Sequence, residues 1–288
     1  MKILMANSSL EGVNKKSCLE RLNLLQSLSF MENTQTTKVR GDTSLNHTGS
    51  MIETLFNVGA HFGFVKSRRH PSAKPFIFGT KNKIEIFDLE KTSKELEKAL
   101  AFVESKGKEG AMALFVGGKS EAREAVIKSG RELEMPFVSG RWIGGTLTNF
   151  VEIKKRIIRL AELTEQRERG ELNKYTKKER LLIDREIAKL QLYFGGLSTL
   201  KALPKLLIVM DPKKENIAVS EARFLNIPIV ALAGSDSNFF EIDYAIPGND
   251  ASRQSIQFIL SELVKAYKKG KIESQDKQEI KNDNNGTN

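Results

Sequence analysis

The 288-residue chain is poor in the residues that reactive chemistry needs: it has one cysteine, Cys18, and three histidines, His47, His61 and His70. A single cysteine excludes an internal disulfide and any cysteine-based metal cluster, and it fits a reducing compartment. The histidines lack the i, i+4 pairing with a nearby carboxylate that a histidine-rich zinc site shows. No metal and no cofactor is expected. No apolar run approaches the roughly 20 residues that cross a bilayer, and the richest, residues 203–210, is short and contains Pro204 and Lys205. No Gly-x-Ser-x-Gly elbow occurs, and Cys18 lies outside the patterned part of the chain, so nucleophilic hydrolysis has no candidate.

What is present is positive charge. Lys and Arg number 46 against 36 Asp and Glu, a net charge of +10, with a pI near 9.5. Residues 51–270 hold 37 of the basic and 28 of the acidic groups, so nearly all the excess sits there. A basic compact body attracts polyanions, because each phosphate neutralised releases condensed counterions. Nucleic acid is the leading partner class, and no small-molecule substrate or membrane partner is expected. The first 50 residues match neither a secretory signal nor an Arg-rich, acid-poor transit peptide, and they read as a disordered extension. Residues 271–288, rich in Asn, Lys and Gln, bury too little to offset their ordering entropy and read as a loose tail.

Between these ends, strand and helix patterns alternate. Residues 84–89 and 111–116 are strand-like, and Thr92 with Glu95 offers a capping box ahead of Leu96, Leu100 and Val103 at helical spacing. Gly117 and Gly118 stop the second run, and residues 121–130 read as a helix. The alternation resumes with Phe137 and Val138, then residues 206–210, 217–225, 229–232 and 256–267. Apolar runs separated by helices suit a parallel sheet covered on both faces. The expected fold is a doubly wound α/β domain over residues 51–150 and 195–270.

Residues 151–194 break the pattern, with twelve basic and eight acidic groups and no strand-like run. Ile153, Ile157 and Leu160, and then Ile183, Ile187, Leu190 and Phe194, form narrow helical stripes. Gly170 divides them, and Thr176 with Glu179 offers a second capping box. An inserted antiparallel coiled-coil hairpin is expected, with Gly144, Gly145, Gly195 and Gly196 at its base.

Val116-Gly117-Gly118-Lys119-Ser120 looks like a phosphate-binding loop but has Ala113 where the motif needs its first Gly. Its N–H groups and Lys119 are instead expected to meet RNA phosphate. Asp88, Asp211 and Asp236 lie near strand ends, where α/β enzymes place catalytic groups, yet Asp211-Pro212 reads more simply as a helix cap followed by Pro in the first turn. A rival reading is an enzyme acting on a phosphorylated small molecule, with Asp88 or Asp211 as base. Lys66, Arg68, Arg69 and Lys74, beside Phe62 and Phe64, read as an exposed loop for backbone phosphates with base or sugar stacking. Lys213 and Lys214 oppose a helix dipole and call for an anion. Arg141 adds a cation beside Trp142, which is expected to anchor the hairpin base in the core.

Several segments carry a resemblance: Val58-Gly59-Ala60-His61-Phe62-Gly63, Arg68-Arg69-His70-Pro71, Lys74-Pro75-Phe76-Ile77-Phe78, Ile86-Phe87-Asp88-Leu89-Glu90-Lys91-Thr92, the decapeptide from Arg141-Trp142-Ile143-Gly144-Gly145 to Phe150, Asp211-Pro212-Lys213-Lys214-Glu215 and Ile246-Pro247-Gly248-Asn249-Asp250. In order and spacing, residues from about 51 to 268 resemble the bacterial small-subunit ribosomal protein S2 family. The resemblance implies a flavodoxin-like sheet domain with an inserted coiled-coil hairpin. It implies a non-catalytic part of the cytoplasmic ribosome that binds ribosomal RNA and neighbouring proteins and supports docking of ribosomal protein S1. Phe64 stands where the family usually has a second His, and residues 233–238 depart from its usual Val-Asp-Thr-Asn-Cys-Asp. Because the match starts almost at Met51, translation is expected to begin there, with residues 1–50 a mis-called start.

Overall fold

The structure, a computed structural model, describes residues 47–285. The expectations for residues 1–46 lie outside the described residues.

The alternating pattern builds two sheets. Helix α1 (His47–Asn57) leads to β1 (Phe62–Val65), two 3-10 turns, β2 (Ile77–Lys81) and β3 (Ile84–Phe87), and β3 pairs antiparallel with β1 on one side and β2 on the other. Of residues 84–89, 84–87 therefore enter a small antiparallel sheet rather than the parallel one, and Asp88 and Leu89 open α2. Then follow α2 (Leu89–Lys108), β4 (Ala113–Val116), α3 (Ser120–Glu132), β5 (Phe137–Val138), α4 (Phe150–Glu168), α5 (Lys177–Phe194), β6 (Leu206–Met210), α6 (Asn216–Phe224), β7 (Ile229–Ala233), β8 (Tyr244–Pro247) and α7 (Arg253–Asn285).

Strands β4 to β8 form one parallel sheet in the order β5-β4-β6-β7-β8. Numbered among themselves, they run 2-1-3-4-5, the flavodoxin-like order, whose switch point lies between β4 and β6. Strands β6 and β7 are buried along their whole length. Leu207, Val209 and Ala231 face a core shared with α4, α5 and α6, while Leu206, Ile208, Met210 and Leu232 face one shared with α2, α3 and α7. A period of two between two buried faces is why these runs look uniformly apolar in sequence.

The start of α2 differs from expectation. Asp88 is the cap, accepting the Glu90 N–H at 3.1 Å, while Thr92 lies in the first turn and turns its hydroxyl inward to Pro247 O at 2.9 Å. A carboxylate at a strand end wins because it satisfies a free first-turn donor. Helices α4 and α5 bury Ile157, Leu160, Ile187 and Leu190 in one cluster. The chain reverses between them through Gly170 at φ 74°, and Thr176 and Glu179 form the expected capping box.

Helix α7 runs on to Asn285, where composition favoured a loose tail. Extending an existing helix needs no new nucleus, and pairs Lys108–Glu273 at 2.9 Å and Lys269–Glu104 at 3.1 Å tie its middle to α2. Among the described residues, no helix is long and apolar enough to cross a membrane.

Candidate nucleic-acid interface

The crevice at the switch point is filled from within. The turn after β4 offers the Gly118 N–H, which donates to Glu215 Oε1 at 3.1 Å. A side chain on Gly118 would put its Cβ 2.5 Å from Gly140 O and 2.6 Å from Glu215 Oε1, so only glycine fits. Lys119 Nζ lies 3.1 Å from Asp211 Oδ2 and 3.2 Å from Asp250 Oδ2. Burial pushes the Asp250 carboxyl up, Asp211 adds to the effect and Lys119 opposes it, leaving a value of about 6. Burial also raises Glu215, against the Gly118 hydrogen bond and Lys214. For Lys119, burial favours the neutral amine, but Asp250 and Asp211 together raise its pKa. Protein carboxylates thus occupy the amide and the ammonium that would meet a phosphate. Lys119, expected to meet RNA, thus holds its charge between two buried aspartates.

The two candidate bases are likewise engaged. Asp88 caps α2 and pairs with Lys91 at 3.4 Å. Asp211 holds Lys119 and accepts the Lys214 N–H at 3.2 Å from a left-handed backbone, φ 64°. It caps the turn before α6, which begins only at Asn216.

Most of the other predicted cations gather on the neighbouring loop. Arg68 and Lys213 share Asp236 Oδ2 at 3.0 and 2.9 Å. Arg69 reaches the fully buried Glu85 at 3.1 Å, and Lys214 Nζ donates to Gly118 O at 3.3 Å. Residues 66–76 are not a free loop. They form 3-10 turns with Ser72 and Ala73 buried, fixed by His70 N–H to Ser235 O at 2.9 Å and Phe239 N–H to Ser72 Oγ at 2.9 Å. Phe64 already carries the Arg68 guanidinium 4.6 Å above its ring, and Phe62 lies against His61. Lys66, Lys74 and Arg141 are exposed and make no ion pair among the described residues.

Sequence reasoning missed Glu221. Its carboxylate accepts from Trp142 Nε1 at 3.1 Å, from the N–H groups of Gly145, Leu147 and Thr148 at 2.8, 2.9 and 3.1 Å, and from Thr148 Oγ1 at 3.3 Å. Burial would raise its pKa, but the hydrogen bonds from Trp142 and these amides outweigh burial and hold it below the usual carboxylate range. One buried carboxylate therefore shapes the loop into α4, and Trp142 anchors there, as expected. The available signal was an acid between Ala218 and Ala222 on the buried face of α6.

The match to known proteins agrees with this geometry. The profile of the family described as ribosomal protein S2 matches residues 55–270. Proteins called small ribosomal subunit protein uS2 are similar over most of the chain. That of Desulfatibacillum aliphaticivorans is 42% identical over 220 residues, covering 76% of this chain and 75% of its own. That of Roseiflexus castenholzii is 43% identical over 220 residues, 76% and 84% of the two chains. That of Thermus thermophilus is 43% identical over 213 residues, 74% and 83%. With its parallel sheet, its filled crevice and a family match spanning both α4 and α5, the chain belongs to the ribosomal protein S2 family.

Proposed function

We propose that this protein is a structural component of the small ribosomal subunit, binding ribosomal RNA and neighbouring ribosomal proteins in translation, in the cytoplasmic ribosome. Its role is architectural and not catalytic. The observation that carries the reading is the family match over residues 55–270. The filled switch-point crevice supports it, since the usual ligand position of this fold is held by Glu215, Asp211 and Asp250.

Within that role we assign phosphate contacts to Lys66, Lys74 and Arg141, with Arg68, Lys213 and Lys214 adding charge at the same end of the sheet. Arg68 and Lys213 keep one net positive charge between them after Asp236 is counted. Arg69 serves Glu85 rather than RNA. Helices α4 and α5 act as a coiled-coil arm toward a neighbouring macromolecule, supported by exposed Val151, Ile158, Leu181 and Leu182 on their outer faces. Support for S1 docking rests on the family resemblance alone.

Sedimentation of small subunits from cells making the tagged chain tests the reading. The protein is expected to travel with them and to be released as salt rises. Its absence from small subunits at low salt would overturn the assignment. S1 content of subunits lacking the chain tests the finer claim, an unchanged amount counting against it.

A further inference from the structure

The cations that the sequence pattern singled out are largely occupied by carboxylates, whereas a second set, on the outer side of α3, is not. Arg123, Ile127 and Arg131 follow one another at single-turn intervals along one face of the helix. With Glu124, Lys128 and the first residue of α7, Arg253, they line an open cavity of about 480 Å3. A second hollow of about 190 Å3, which shares Arg131 and adds Arg141, continues toward β5 and the base of α5. The combined surface presents five cations, all exposed, against one carboxylate, Glu124.

None of the five is in an ion pair among the described residues. Among those residues, Arg131, Arg141 and Arg253 have no side-chain hydrogen bond either, and Arg123 gives only Nε to Ser139 O, at 3.1 Å, which leaves the rest of its donor fork outward. Lys128 feels Glu132, but that carboxylate is held by Lys268 at 2.8 Å. Helix physics adds to the excess. The N-terminal turns of α3 and α7, through Ser120 and Arg253, bring positive dipole ends to the rim of the first cavity. Arg253 sits at such an end, where a cation is unfavourable unless an anion meets it.

We infer that this face, formed by Arg123, Lys128, Arg131 and Arg253 and joined to Arg141, is a phosphate-binding track for the RNA backbone. Arginine forks favour phosphate, which they engage through two parallel hydrogen bonds. A wide, open concavity with charges spread along it suits a strand laid across the surface rather than a small anion enclosed in it. The inference rests on the small-subunit reading above and adds to it a face that the residue motifs did not suggest.

The test is rebinding of the full-length chain to small subunits stripped of it, over a range of salt, with ultraviolet crosslinking to map the peptides attached to RNA. The triple variant Arg123→Gln, Arg131→Gln, Arg253→Gln is expected to lower the slope of log affinity against log salt by about two, at roughly 0.7–0.9 for each phosphate left without its cation. It is also expected to lose RNA crosslinks to α3. The three Arg→Lys replacements should keep most of the slope, and the thermal midpoint should not move, because all three side chains are exposed. If the triple variant rebinds with an unchanged slope while Lys66→Gln with Lys74→Gln reduces it, the track is refuted and the small-subunit reading stands. Crosslinks from α3 to a ribosomal protein instead of RNA refute the track in favour of an acidic protein partner. If the unaltered chain fails to rebind at low salt, the small-subunit reading itself fails.

Discussion

The indole N–H of Trp142 donates to Oε1 of Glu221 at 3.1 Å, across 79 residues of sequence. This contact joins the loop before α4 to α6, and the same carboxylate gathers the Gly145, Leu147 and Thr148 amides. A charge in an otherwise apolar setting is tolerated because donors from one loop surround it. The loop entering α4 is thus set electrostatically as well as by packing.

Replacing Glu221 with alanine should leave the Trp142 and Leu147 donors buried without acceptors and destabilise the protein by about 3 kcal/mol or more. Urea unfolding measures the loss, and Trp142 fluorescence reports whether the loop has loosened before the global transition. Because the folded pKa of Glu221 lies below its ordinary value, its contribution is present above the unfolded carboxylate value and is lost as pH falls through the folded one. Glu221→Gln should flatten this acid limb. A variant as stable as the wild type would show that packing alone holds the loop.

Asp250 gives the opposite slope. Its folded pKa of about 6 exceeds the ordinary 3.8, so between those values the native state binds the proton more tightly than the unfolded chain. Stability should therefore fall as pH rises through that window and level off above it. Asp211, Lys119 and Asp236 surround the group, and Lys119, whose pKa is raised, stays charged throughout. Thermal midpoints at several pH values from 4 to 7 should slope downward in the wild type and less so in Asp250→Asn. Equal slopes in the two proteins would remove Asp250 as the cause.

Two glycines let α2 and α7 approach closely. A Cβ on Gly107 would sit 2.4 Å from Tyr267 O, and one on Gly270 2.1 Å from Glu104 O. The obstacle in each case is backbone, which cannot swing aside as a side chain can. Gly107→Ala and Gly270→Ala should each cost about 1–3 kcal/mol through helix separation. Because alanine favours helices over glycine by about 1 kcal/mol, unchanged or raised stability would mean that the helices part at little cost.

Much of this architecture was legible because burial on both sides writes itself into β6 and β7 as unbroken apolar runs, and because the capping box at Thr176 and Glu179 is a local signal. Strands β1 and β2 were missed. They are short and partly exposed, and Gly79 and Lys81 in β2 have no place in an apolar pattern. Thr92 with Glu95 mimicked a cap that Asp88 supplies. Charge was less legible: the sequence shows Arg68 beside Arg69, and Lys119 after two glycines, but not that Asp236, Glu85 and Asp250 fold against them. The partner of Arg68 is 168 residues away. Arg123 and Arg131, spread along a helix, form no motif at all and gain meaning only when Arg253 folds beside them.

That distinction between cations that serve the fold and cations that face outward leads to a direct comparison. Glu85 is fully buried, its Oε1 meets Arg69 at 3.1 Å, and its Oε2 has no partner among the described residues. Arg69→Gln should leave this carboxylate unpaired and destabilise the protein by about 3–5 kcal/mol, as removing one member of a buried pair commonly does. Lys66→Gln, at an exposed site with no ion pair among the described residues, should leave the thermal midpoint within error and weaken attachment to small subunits at raised salt. Calorimetry of the free protein and salt-dependent rebinding separate the two effects. Should Lys66→Gln lower the midpoint, or should Arg69→Gln reduce the salt dependence without lowering stability, the assignment of these two neighbouring cations would have to be exchanged.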